Sequence, residues 1–136
     1  MLTSIEAYSR FVYDLIDHAV AIESHTVAVY PRGATLGVLE GEIRLTGGVV
    51  LRLFERLDFA RRCILTYSYE VWQDQQQMWW CDPMPPPNAP DLQQNHPHHK
   101  HIPPDIKHHR VVAPEISFTR PNLPFVLAEA QRLAAP

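Results

Sequence analysis

Over residues 4–23 the apolar positions return at helical intervals. Ile5, Tyr8, Val12, Leu15, Ile16 and Ala19 fall on one stripe, with Glu6, Arg10, Asp14 and Asp17 off it. An amphipathic helix is predicted there, opened by a capping box of Thr3 with Glu6 three residues later. The period then drops to two. Residues 26–30 are short and β-branched, and Pro31-Arg32-Gly33 stops them. In residues 36–45, Leu39, Ile43 and Leu45 share parity; in residues 49–59, Val49, Leu51, Leu53 and Leu57 do. Parity in a strand sets the face, so each run has one apolar side. Gly47-Gly48 between them suits a tight primed hairpin turn. After a turn at Ala60-Arg61-Arg62, the residues Cys63, Leu65, Tyr67, Tyr69 and Val71 alternate with Thr66, Ser68 and Glu70. Residues 73–77 form a polar turn, and Met78 opens a fourth strand of the meander.

From residue 82 to 121 neither period holds. Most of the chain's 13 prolines lie between Pro83 and Pro124, a density that regular helix and central strand both refuse. A short strand fits Arg110, Val111 and Val112, and Asn122 can cap a closing helix over residues 123–133, with Pro124 in its first turn. The expected architecture is α+β: an amino-terminal helix, a four- to five-stranded antiparallel meander, a His/Pro-rich arm and a short carboxy-terminal helix. The chain reads as a single domain over 1–136, with helix and meander in 1–82, the arm in 83–121 and the closing helix in 122–136. Ile102, Ile106, Val111, Val112, Ile116 and Phe118 recur often enough for the arm to dock on the sheet. Docking is expected to bring His99 or His101 beside Glu55.

Composition changes this picture only locally. An apolar content of 46% fills one core, and no apolar run approaches the roughly 20 residues that span a bilayer. The start, Met1 to Glu6, lacks the basic residues and apolar stretch of a signal peptide, so a cytoplasmic protein without membrane contact is expected. Cys63 and Cys81 sit in apolar sequence without CxxC spacing, which suggests reduced, buried thiols. A net charge of −3 exerts no overall pull on nucleic acid. Lys100, Lys107, Arg110 and Arg120 against Asp105 and Glu115 make a modest basic stretch, which six histidines between His96 and His109 strengthen as pH falls.

Three sets of residues can carry chemistry. Glu55 occupies the apolar parity of its strand between Leu53 and Leu57. A carboxylate there is desolvated, with the raised pKa of a general acid or base, unless the face opens to solvent or Arg52, Arg56 or Arg62 pairs with it. Tyr67 and Tyr69 share a face of the next strand, either as packing residues or as groups that flank Glu55 and orient a substrate. Of Trp79 and Trp80, one enters the core and the other is exposed or covered by the arm. In extended Asn95-His96-Pro97-His98-His99-Lys100-His101, His99 and His101 share one side, and His96 and His98 the other. Two imidazoles with Glu55 or Asp82 can make a zinc site, yet the spacing matches no established zinc pattern. Without metal, one histidine acts as base and another as acid, with Lys100 on a phosphate. In the structural alternative, imidazoles and prolines pack over the tryptophan strand.

From Glu55 onward the order of landmarks resembles the TumE-type family, small prokaryotic proteins assigned as toxin components of toxin–antitoxin pairs. The resemblance rests on Glu55 with Asp58, Tyr67-Ser68-Tyr69, Gln73-Asp74, the aromatic strand ending at Asp82, and Pro97-His98-His99-Lys100-His101. It extends over about four-fifths of the chain. The family often has Phe-Arg-Tyr-Asp-Asn where this chain has Trp79-Trp80-Cys81-Asp82-Pro83, so Trp80 replaces an arginine. The resemblance implies a toxin with a cognate antitoxin as partner. The layout of helix plus antiparallel sheet also resembles small ribonuclease toxins, and this likeness directs the histidine chemistry towards RNA: His98, His99 and His101 with Glu55 as the catalytic set, and Lys100, Tyr67, Tyr69 and Asp82 holding substrate. No cofactor is expected, zinc being the disfavoured alternative, and a homodimer is the further assembly considered. The competing class is a non-catalytic binding or regulatory protein whose histidine arm docks a metal ion or a protein.

Overall fold

The computed structural model describes residues 2–83, 99–102, 110–113 and 115–134. Helix α1 is Ile5–His18, and its Tyr8, Val12 and Ile16, spaced by four, are buried. Ser4, not Thr3, is the N-cap: its hydroxyl accepts from the Ala7 amide at 3.1 Å. The helix stops at His18 because Ala19 is extended and Ala21 takes a φ of 70°. Residues expected to prolong it instead form β1, Ile22–His25.

β1 and β2 (Ala28–Pro31) pair in turn with the two halves of β3 (Leu36–Leu45), His25 opposite Ile43 and Ala28 opposite Glu40. Gly41 sits at the changeover with φ 145°, where a Cβ would lie 2.6 Å from the Val27 Cα. Only glycine fits there. β3 pairs with β4 (Val49–Asp58) from Leu36↔Asp58 to Arg44↔Val50, and Gly47 and Gly48 close the hairpin at φ 75° and 76°. β4 alternates between buried and less buried positions along its whole length, as its sequence does.

β5 (Cys63–Gln73) departs from the expected alternation. Arg56 pairs with Thr66 but Leu57 with Ile64, so Leu65 is an extra residue in a bulge. The bulge turns Ile64 inward and leaves Leu65 at 37% exposure. Asp74 and Gln75, both at positive φ, form the two-residue turn into β6 (Gln76–Asp82). The arm then adds β7 (His99–His101) and β8 (Arg110–Val112), and helix α2 (Leu123–Ala134) closes the described chain.

The fold is α+β. Among the described residues its antiparallel sheet has eight strands, in the order β1-β3-β4-β5-β6-β7-β8 with β2 also on β3, more than the four or five expected. The surplus comes from β1, whose residues continue the helical pattern, and from β7, hidden in proline-rich sequence, while β8 is the short strand expected at Arg110, Val111 and Val112. Both helices bury their apolar stripes in one cluster with Leu39, Ile43, Leu51, Leu53, Leu57 and Val71. Those strand residues share the inward parity, so the helices cover one face of the sheet. Among the described residues, no helix is long and apolar enough to cross a membrane.

Candidate functional site

The inward parity of β4 carries Glu55 into the core, where it is fully buried. Desolvation of a lone carboxylate there costs several kcal/mol, so donors have to meet it. Tyr8 of α1 donates to Oε1, and Tyr69 of β5 donates to Oε2 at 2.5 Å. The neighbouring arginines Arg52 and Arg56 lie at the opposite parity and take no part. Burial pushes the Glu55 pKa up, and the two phenols pull it partly back. The Tyr69 phenol is raised by burial and then by Glu55.

The network continues to α2. Asn122 Nδ2 donates to the Tyr69 hydroxyl at 3.0 Å and to the Ser117 carbonyl at 2.9 Å, while Oδ1 accepts from the Ser117 amide at 2.9 Å. Only the Asn122 backbone carbonyl serves the helix, accepting from Val126. The expected side-chain cap is turned the other way, tying the chain before α2 to the sheet. Tyr67 stacks on Tyr69 at 4.9 Å and leans on Phe118. One carboxylate thus links α1, the sheet centre and the approach to α2. Asn122→Ala is expected to lower stability by about 2 kcal/mol, since buried groups on Ser117 and Tyr69 lose their partner. Urea unfolding measures this, and an unchanged midpoint would show that the network carries no stability at that residue.

β7 has its own register on β6: Trp80↔His101, Cys81↔Lys100 and Asp82↔His99. Cys81 is the partner of Tyr69, so Lys100 shares the helix-facing parity, and its Nζ lies 3.9 Å from Glu129 of α2. His101 has the other parity, in the row Arg52↔Glu70↔Trp80↔His101. Its imidazole lies flat on the Trp80 indole, 4.1 Å between centroids and 11° from parallel, at 2% exposure. Trp79 takes the core side.

The structure therefore does not bring His101 and Glu55 together. They face opposite sides of the sheet, because a three-residue strand paired in this register directs its middle residue, Lys100, to the helices. Glu55 meets phenols instead of imidazoles, and Tyr67 and Tyr69 are buried with it. His99 is placed by its backbone alone, opposite Asp82 and Val112. His96, His98 and Ile106 lie outside the described residues, as do the side chains of Val111 and Val112. Cys81 is buried beside Lys100, its thiol pushed up to about 12 chiefly by burial. Among the described residues, no three of His, Cys, Asp and Glu gather as metal ligands.

Two members of the Glu55 network escaped the sequence reading, its direct partner Tyr8 and, one bond further through Tyr69, Asn122. Tyr8 looked like one more apolar member of the α1 stripe, and Asn122 like a cap. The available signal was a hydroxyl on a fully inward stripe, which needs an acceptor in the core.

A family model for the toxin TumE matches residues 12–134 of the chain. No curated protein and no solved structure matches it.

Proposed function

The chain belongs to the toxin TumE family, and from that premise we propose that it stops growth by cleaving RNA without a metal ion, through the histidines of β7. Membership gives it a toxin's role in a toxin–antitoxin pair and implies an antitoxin partner. The observation that carries the proposal is the register of β7. Its pairing with β6 holds the His-Lys-His run in the sheet, sets His99 opposite the carboxylate-bearing Asp82, and lays His101 on Trp80. A fixed imidazole plane at His101 and a carboxylate on the strand partner of His99 support an acid–base use of the two histidines.

In this reading one neutral imidazole takes the proton from a ribose 2′-hydroxyl, and that oxygen attacks the adjacent phosphorus. The P–O5′ bond breaks, and the other histidine, protonated, delivers its proton to the leaving oxygen. The products are a 2′,3′-cyclic phosphate and a 5′-hydroxyl, with one proton taken up and one released. His98 adjoins this pair in the chain. Glu55, Tyr67 and Tyr69 contribute through the core that holds β5 against the helices, and Lys100 through its pairing with Glu129. The near-complete burial of His101 favours a second reading, in which the toxin binds its target without cutting it and His101 is a packing residue.

Expression of the chain alone should arrest growth, and co-expression with the neighbouring antitoxin gene should restore it. The His99→Ala/His101→Ala chain, at the same verified protein level, should leave growth normal. Unaffected growth with the unaltered chain would remove the toxin role from this protein. Full toxicity of the double variant would establish the second reading.

A further inference from the structure

We infer that the sheet face opposite the helices docks single-stranded RNA, with a nucleotide subsite between Arg32 and Arg56 over a floor of Tyr30, Val38 and Phe54; the choice of polymer rests on the ribonuclease reading. Both helices cover the other face. The residues of opposite parity on β3 and β4 are Leu36, Val38, Glu40, Glu42 and Arg44, then Val50, Arg52, Phe54, Arg56 and Asp58, whose carboxylate accepts from the Ala60 and Arg61 amides. An outer sheet face in contact only with water has no need of large rings, yet Tyr30, Phe54, Trp72 and Trp80 are all half-buried there, interleaved with arginines. The Arg52 guanidinium sits over the Trp72 ring at 5.4 Å.

The carboxylates on this face are answered within the protein. Glu42 lies between Arg52 at 3.0 Å and Arg44 at 3.6 Å, Glu40 accepts from the Tyr30 phenol at 2.7 Å, and Glu70 accepts from Gln77 at 2.8 Å. Among the described residues, Arg32 and Arg56 are in no ion pair. Both line a groove of about 440 Å³ together with Tyr30, Val38, Glu40 and Phe54. The chemistry is that of a nucleotide site: guanidinium forks for a phosphate and ring faces for a base. An antiparallel sheet with partly accessible rings is also a surface on which splayed bases stack. With Glu40, Glu42 and Glu70 among the arginines, binding is expected to be modest and salt-sensitive. The placement fits the chemistry at β7: Trp80 and His101 belong to the same face, two and three strands, or about 10 and 14 Å, from β4. RNA held at the groove runs across Trp72 and Trp80 to His101.

The test uses the full chain and a short fluorescein-labelled 2′-O-methyl oligouridylate, which cannot be cleaved through its 2′-oxygen. Anisotropy then reads affinity whether or not the chain cuts RNA. Arg32→Ser/Arg56→Ser should weaken binding about tenfold or more and reduce the slope of log affinity against log salt by about one. Phe54→Leu, which keeps the apolar floor but loses the ring, should weaken it about fivefold or more, and Phe54→Tyr should not. Circular dichroism confirms that each variant is folded. Unchanged affinity in the arginine and Phe54→Leu variants would overturn the inference, as would equal binding of a duplex of the same length. So would a loss of antitoxin binding in these variants with RNA binding intact, which would make the face a protein interface. RNA binding that depends on Arg32, Arg56 and Phe54 in a chain that cleaves nothing would support the docking face and remove only the ribonuclease reading.

Discussion

Glu55→Ala is expected to destabilise the protein by roughly 3–6 kcal/mol. Two buried phenols, those of Tyr8 and Tyr69, lose their acceptor at once, and each unsatisfied hydroxyl costs about 1–3 kcal/mol. A small cavity adds to this. Against a total stability of about 5–15 kcal/mol, such a loss leaves a large share of the chains unfolded at growth temperature. Glu55→Gln, which preserves shape and one acceptor, should cost less than half as much. A change below about 1 kcal/mol for the alanine variant, read from urea midpoints, would contradict the structural role given to Glu55.

The same residue sets a pH dependence. Its folded-state pKa is raised above the ordinary 4.5, with burial as the leading cause, so the folded protein binds this proton more tightly than the unfolded chain. The contribution is therefore complete below about pH 4.5 and declines as pH rises towards the folded value. Relative to Glu55→Gln, the unaltered protein should lose stability as pH rises through that window. A difference between the two proteins that grows towards acid pH in favour of the Gln variant would have the wrong sign.

How much of this was legible in the sequence follows from which physical rule governs each part. Period located α1 and the β3–β4 hairpin, because each buries one regular stripe, and Asn122 with Pro124 marked the start of α2. The glycines of the hairpin were legible for the same local reason, a need for positive φ. Glu55 stood out as a charge at an apolar position, and the core did receive it. What composition could not reveal was pairing. The bulge at Leu65, the division of β3 between β1 and β2, and the register of β7 depend on contacts distant in sequence. That register decided the most: shifted by one residue, it would turn His101 towards the helices. Lys100 occupies that position instead, and the expected site shared by Glu55 and His101 comes apart on two faces.

The second large effect concerns the histidines. If one imidazole acts as base and the other as acid, each single alanine substitution at His99 or His101 should slow RNA cleavage by roughly 10²–10⁴-fold. The rate should follow a bell in pH, since one ring has to be neutral and the other charged. Glu55→Gln, on the far face, should leave the shape of that bell unchanged at temperatures where the variant is folded. This distinguishes a core carboxylate from a member of the catalytic pair.

The measurement that bears most directly on the central claim is cleavage of a single-stranded RNA by the purified, tag-free chain in excess EDTA, beside the folded His99→Ala/His101→Ala chain. The account predicts cleavage by the unaltered protein, with a 2′,3′-cyclic phosphate end and undiminished by EDTA, and a loss of at least about 10²-fold in the double variant. Equal rates for the two proteins, or activity that EDTA abolishes, would contradict it.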